Sequence, residues 1–245
     1  MAATAEDTET SPSTSAGRPR RRPGKIATAV SFVGELLITA GLVLGLFVVY
    51  SLWWTNVIAD RHADAQADKV RDHWAENGEP GALDTGSGIG FLHVPAMSDD
   101  DILVERGTSS KILNDGVAGY YTDPVQAGLP TSGKEGNFSL AAHRDGHGAK
   151  FHNIHKLAKG DPIVFETKDT WYVYKVYAIL PETSKYNVKV LAPIPEESGK
   201  TKAGHYITLT TCTPIYTSRY RYVVWGELVR TEKVNSERTP PEELR

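Results

Sequence analysis

The chain has 245 residues and near-balanced charge, 27 Lys and Arg against 30 Asp and Glu, so it offers no basic field for a nucleic-acid backbone. That length holds one domain of ordinary size plus flexible or membrane-embedded ends. One cysteine, Cys212, excludes an intrachain disulfide, and on composition it reads equally as a buried structural thiol or a reactive one.

Residues 1–17 are rich in Ser, Thr, Ala and acidic side chains and predict a disordered tail. A basic cluster follows, Arg18, Arg20, Arg21, Arg22 and Lys25, and then an apolar run. From Leu36 to Trp54 there are 19 residues without a charge, close to the helical length that crosses a hydrocarbon core of ~30 Å. Tyr50, Trp53 and Trp54 stand at its far end, where amphipathic aromatics favour the interface. A cleaved signal peptide has a shorter apolar core and a small-residue cleavage site, and only a weak Ala-x-Ala stretch exists around Ala63 to Ala67. The expectation is an uncleaved anchor over 26–54, with the basic tail 1–25 in the cytoplasm and all that follows outside.

Residues 55–87 read as a juxtamembrane stalk and linker. Asp60, Asp64, Asp68, Asp72 and Glu76 recur on one side of a helical pattern, and Val70 and Trp74 on another, which predicts a short stalk helix with a solvated acidic face. The stretch 77–88 is a Gly, Pro and Asp linker. The body, 88–232, reads as short β-prone segments: GFLHVPA, DILVERG, NFSLAAH, DPIVFET, TWYVYKVYAIL, HYITLTT and RYRYVVWGELV. Few helical intervals separate them, a turn or two within 108–118 and 149–158, so the fold class is all-β and a closed or nearly closed barrel. Residues 233–245 read as a frayed tail. The chain has no Walker loop, dinucleotide fingerprint or HExxH, which argues against nucleotide, nicotinamide and zinc-protease chemistry; no cofactor is expected.

Three segments carry reactive residue types. In NFSLAAHRDG, Phe138, Leu140 and Ala142 form an apolar phase and His143 takes the opposite one at the strand end. In HYITLTTCTP, Ile207 and Leu209 share one face, and Cys212 arrives as the strand opens into a loop before Pro214. In SRYRYVVWGELV, Arg219 and Arg221 fall on one face of a strand that follows Cys212 closely and so pairs beside it. A guanidinium near a thiol favours the thiolate and offers donors to an oxygen gaining charge. Cys212 as nucleophile, His143 as proton carrier and Arg221 as oxyanion stabiliser therefore form a workable acyl-transfer set. The bland alternatives are a surface histidine, a core thiol and solvated edge arginines. A zinc site from His143, His147, His152, His155 and Cys212 matches no standard spacing, and no metal is expected there.

Taken together, TLTTCTP at 208–214 after a strand, an arginine nine residues past the cysteine, and a histidine at an AAH strand end resemble the sortase family of surface-protein transpeptidases over about residues 88–230. The histidine motif departs from the more usual AGH. The resemblance implies an eight-stranded sortase β-barrel behind one transmembrane helix. It implies cleavage of an LPxTG-type sorting signal between Thr and Gly, a thioester on cysteine, and transfer of the surface protein to an amine of a peptidoglycan precursor. Cys212, His143 and Arg221 match the family's catalytic residues, with Arg219 as the fallback, and their neighbours Ala142 and Thr211 are the expected substrate contacts. The TCTPIYTSRYRYVVWGEL ending is most like the actinobacterial class E branch, associated with LAxTG. Segment 183–204 matches the region that shapes the signal groove, and Glu196 and Glu197 keep calcium open. Two other classes compete: an L,D-transpeptidase-like wall enzyme, whose SHGC-like motif is here TTCTP, and a non-catalytic wall-binding domain with Cys212 buried.

Overall fold

A computed structural model describes residues 24–76 and 88–245. Most of the expected cytoplasmic tail, and the linker at 77–87, lie outside the described residues. The chain divides into two units, residues 1–47 and 48–245. The first carries most of helix α1 (Lys25–Val49). Its stretch Thr28–Val49 has a mean hydropathy of 2.3, long and apolar enough to cross a membrane. Large apolar side chains are exposed along its length, from Val30 to Val49. A helix apolar on every side and not buried in protein is suited to lipid. The hydroxyl of Thr39 donates back to the Glu35 carbonyl at 2.8 Å, so it needs no water.

In the second unit a π-helical turn, Tyr50–Trp54, leads into helix α2 (Thr55–Glu76). The expected stalk is a packed helix. Ala59, Ala63 and Val70 are buried, and Ala67 and Trp74 continue the stripe against Phe91, Leu103 and Val117. Trp74 meets Phe91 edge-on with ring centroids 5.4 Å apart. Its alanines, which read in sequence as helix formers on a solvated rod, let the backbone approach the barrel closely.

Eight strands follow: β1 (Gly90–His93), β2 (Ile102–Arg106), β3 (Ala118–Tyr120), β4 (Gly136–Ala141), β5 (Pro162–Glu166), β6 (Thr170–Ser184), β7 (His205–Thr213) and β8 (Tyr220–Lys233). They close into a barrel in the order β1-β2-β3-β4-β7-β8-β6-β5. The short helix α3 (Ser110–Leu113) precedes β3, and a 3-10 turn, Ile154–Lys156, follows β4. Two pairings are parallel, β2 with β3 and β4 with β7; the other ladders of the barrel are antiparallel. The barrel interior takes every second residue of its strands, including Phe138, Leu140, Ile207, Leu209 and Val224, as the alternating pattern requires. The opposite phase of β8 is covered too. Val223 and Trp225 pack beneath Val190 and Leu191 of the segment between β6 and β7, with the indole N–H donating to the Val190 carbonyl at 3.0 Å.

The C-terminal segment does not fray. Val234 N–H donates to the Asp169 carbonyl at 2.9 Å, and Arg238 lies over the Trp74 ring at 4.8 Å. Arg238 also donates to the carboxylate of Glu166, 2.5 Å from Nη2, and to the carbonyls of Thr167 and Lys168. Val234 and Leu244 pack against Val164, Trp171 and Val173, but two apolar residues ten apart in a polar segment leave no pattern, and the ion pairs leave none either.

Candidate active site

The parallel register of β4 and β7 runs from Gly136 opposite His205 to Ala141 opposite Thr210. β4 and its ladder end there, and continuing the same register two residues past that end puts His143 level with Cys212. The hydroxyl of Thr211 donates to the Ala142 carbonyl at 2.7 Å and keeps the strands aligned through this step. On the other side of β7 the antiparallel register sets Cys212 directly opposite Arg221. Side chains in register share a face of a sheet. His143, just past the end of β4, Cys212 of β7 and Arg221 of β8 therefore fall in one row, on the phase opposite to Phe138, Leu140 and Leu209 in the interior. A half-buried cysteine at a strand end is not the sealed thiol of the binding-domain reading.

The structure thus brings together the three residues singled out in the sequence. Arg219 lies before β8, exposed, with its guanidinium on the Tyr220 ring at 5.1 Å. The register gives the place beside Cys212 to Arg221. Arg221 Nη1 donates to the carbonyls of Tyr220 and Ser218, at 2.9 and 3.3 Å, which folds the guanidinium against the β7–β8 turn. Ala142 and Thr211, the expected substrate contacts, flank His143 and Cys212 in the chain. Both side chains are buried on the interior phase, and the hydrogen bond from the Thr211 hydroxyl to the Ala142 carbonyl holds the two strands in line.

Several neighbours were missed in the sequence. Nε2 of His143 lies 2.8 Å from Oδ1 of Asn114, just past α3. The His147 ring is 5.4 Å from the His143 ring. Burial pushes the His143 imidazole below the ordinary histidine range; His147 pushes the same way, and Asp145 opposes both. Tyr121 sits beside the row, its hydroxyl 3.0 Å from Thr210 Oγ1. Burial raises its phenol above the ordinary range, against the Thr210 hydrogen bond and the Arg221 charge. Two residues just after His143 fasten its loop to the Cys212 strand. Buried Arg144 donates from Nη1 to the Cys212 carbonyl at 3.4 Å, and Asp145 accepts from the Tyr216 N–H at 2.7 Å. The RDG sequence reads only as a turn, so nothing in it announced a tether to a strand some 70 residues away.

Glu196 pairs with Lys189 at 3.1 Å and Glu197 accepts from Asn187 at 2.7 Å. Among the described residues no group of three or more His, Cys, Asp or Glu is arranged to hold a metal ion.

The sortase domain family matches residues 92–229. Sortase SrtE2 of Streptomyces coelicolor is 76% identical over the full length of both chains. Sortase SrtE1 of the same organism is 47% identical, covering 85% of this chain and 60% of its own. Among solved structures, sortase E1 from Streptomyces coelicolor with a tripeptide in its active site superposes with a TM-score of 0.60 at 45% identity, over 64% of this chain and 96% of that one. Sortase E from Streptomyces avermitilis gives 0.55 at 33% identity, over 64% and 97%. On the barrel, the cysteine-bearing strand and these relatives together, the chain belongs to the sortase family as a cysteine transpeptidase of the class E branch.

Proposed function

We propose that the chain cleaves an LAxTG or LPxTG sorting signal between Thr and Gly, and transfers the surface protein carrying it to an amine of a peptidoglycan precursor. The observation that supports the reading is the ladder that pairs Cys212 with Arg221, together with the β4–β7 register, whose continuation past Ala141 puts His143 level with Cys212. The Cys212 thiol gives its proton to His143 as Sγ attacks the Thr carbonyl carbon, and the carbonyl oxygen takes up the electron pair next to the Arg221 guanidinium. The C–N bond then breaks, His143 gives its proton to the departing Gly nitrogen, and a thioester remains on Cys212. An acceptor amine attacks the thioester, His143 takes the amine's proton, and the thiolate leaves. Water attacking the same thioester would give hydrolysis, so the amine must compete with it. The basic cluster before the apolar helix supports an orientation with residues 1–25 in the cytoplasm and the barrel outside, on the side where sorting signals and wall precursors meet.

The test uses the full chain in detergent with LAxTG and LPxTG peptides and a glycine or diaminopimelate-like amine. Intact mass should show an acyl adduct with the wild type and none with Cys212→Ala, and amine should speed its turnover into a ligated product. A folded protein with an accessible thiol and no adduct from either peptide would overturn the reading.

A further inference from the structure

The His143 ring is held from a second loop, and that loop is braced by α2. Asn114 closes α3, its N–H donating to the Ser110 carbonyl at 2.9 Å. Behind it Gly116 takes a left-handed φ of 77°, and a Cβ there would stand 2.8 Å from the Ala59 carbonyl oxygen, so α2 lies directly against this turn. His62 of α2 faces Asp115 at 3.7 Å. The loop after His143 is braced from the same helix. Gly146, His147, Gly148 and Ala149 all have positive φ, between 40° and 78°, a conformation that L-residues such as His147 and Ala149 rarely adopt. Gly148 N–H donates to Asn56 Oδ1 at 3.0 Å, and Lys150 pairs with Asp60 at 2.9 Å. One helix therefore steadies both the turn that carries Asn114 and the turn that sets His147 beside His143.

An amide oxygen accepts hydrogen bonds and cannot donate them. With Asn114 Oδ1 at 2.8 Å, the hydrogen of a neutral His143 belongs on Nε2, and the ring's lone pair on Nδ1. We propose that Asn114 is a positioning residue that fixes His143 in the Nε2–H tautomer and so assigns the proton transfers of the acyl exchange to Nδ1. In the forward half, Nδ1 takes the Cys212 thiol proton as Sγ attacks, and that Nδ1–H goes to the leaving Gly nitrogen as the C–N bond breaks. In the second half, the Nδ1 lone pair takes the proton of the attacking amine. Nε2–H stays on Asn114 throughout, and the imidazolium that forms in each cycle strengthens that bond. This inference rests on the catalytic assignment of His143 made above.

The experiment reads ring 15N shifts of the full chain in detergent, with the His143 signal assigned by its loss in His143→Gln. Wild type at a pH where the ring is neutral should show protonated Nε2 and unprotonated Nδ1. Asn114→Ala should mix the tautomers and lower kcat for thioester formation about tenfold with KM nearly unchanged, the loss of one hydrogen bond in the reacting state. Asn114→Asp, which keeps an acceptor at Nε2, should restore the wild-type tautomer. The opposite tautomer in the wild type, or an Asn114→Ala protein with unchanged shifts and rate, overturns the inference. Its failure differs from failure of the sortase chemistry itself, because the shifts are read without substrate, and the acyl adduct on Cys212 is scored separately.

Discussion

Two polar clusters on the same barrel are built to opposite ends. Around Glu166, which is 2% exposed, every partner is in place: His93 Nε2 at 2.9 Å, Arg238 Nη2 at 2.5 Å and Arg71 Nη1 at 3.5 Å, with Arg71 also pairing with Asp101. This cluster joins α2, β1, β5 and the C-terminal segment. The row of His143, Cys212 and Arg221 is different. It is half-exposed, its arginine is turned onto backbone carbonyls, and its histidine is depressed below the ordinary range by burial and a second histidine. A buried charge fully met by its partners holds elements together; a site left open to an incoming peptide keeps donors for charge that develops during reaction.

The sharpest break between the two clusters is Arg221→Met. On the proposed mechanism it removes an oxyanion donor, and kcat for thioester formation should fall by about 100- to 1,000-fold. The unfolding midpoint should barely move, because the side chain is half-exposed and bonds to turn carbonyls that water can satisfy. Arg219→Met should leave the rate within about twofold, since that side chain stacks on Tyr220 outside the register. A large rate loss at Arg219 with none at Arg221 would reverse the assignment. Single-turnover mass spectrometry of the acyl adduct reads both.

Glu166→Gln should give the mirror image, a loss of stability with the chemical step retained. Removing the carboxylate leaves Arg238 and Arg71 facing a neutral amide. Because their side chains are 32% and 39% exposed, the cost falls at the lower end for a broken buried pair, about 3 kcal/mol. Denaturant unfolding with fluorescence checks it, Trp74 and Trp171 lying beside the cluster. A kcat lowered as far as in Arg221→Met, with unchanged stability, would mean that the cluster serves the reaction and not the fold.

Which parts of this were legible in the sequence follows from how each is held. The row could be read because it depends on local alternation and on neighbouring strands: Cys212 and Arg221 sit nine residues apart across one turn, and His143 ends an apolar strand. Strand β3, Ala118–Tyr120, was missed, being three residues long, holding a glycine and starting at the last residue of the stretch 108–118 that reads as a helical turn or two. The docking of α2 was missed because Ala59 and Ala63 carry no apolar periodicity strong enough to stand out from an alanine-rich helix. Asn114 and Arg238 were missed for a common reason. Each acts through a partner far away in the chain, 29 residues for His143 and 72 for Glu166, and polar residues in turns leave no periodic trace of such partners.

The smallest expected effect separates the clusters by pH. His143 has its folded-state value lowered from about 6.5, so between that value and the ordinary one the unfolded chain binds more protons than the folded one. Its contribution to stability is thus full above pH 6.5 and is lost as pH falls through the folded value. Burial pushes Glu166 up, but the hydrogen bonds from His93 and Arg238 and the Arg71 charge outweigh it, so it too is lowered, from 4.5. The sign is the same and the window is lower: its stabilisation is full above pH 4.5 and disappears as pH falls further. His143→Gln should accordingly gain on the wild type as pH drops below 6.5. Glu166→Gln should gain on the wild type only below 4.5. Unfolding free energies of the three proteins from pH 8 to 4 test this. A His143→Gln curve parallel to the wild type through that range would mean that the ring is not depressed, and the contrast between a strained site and a satisfied clamp would lose its electrostatic half.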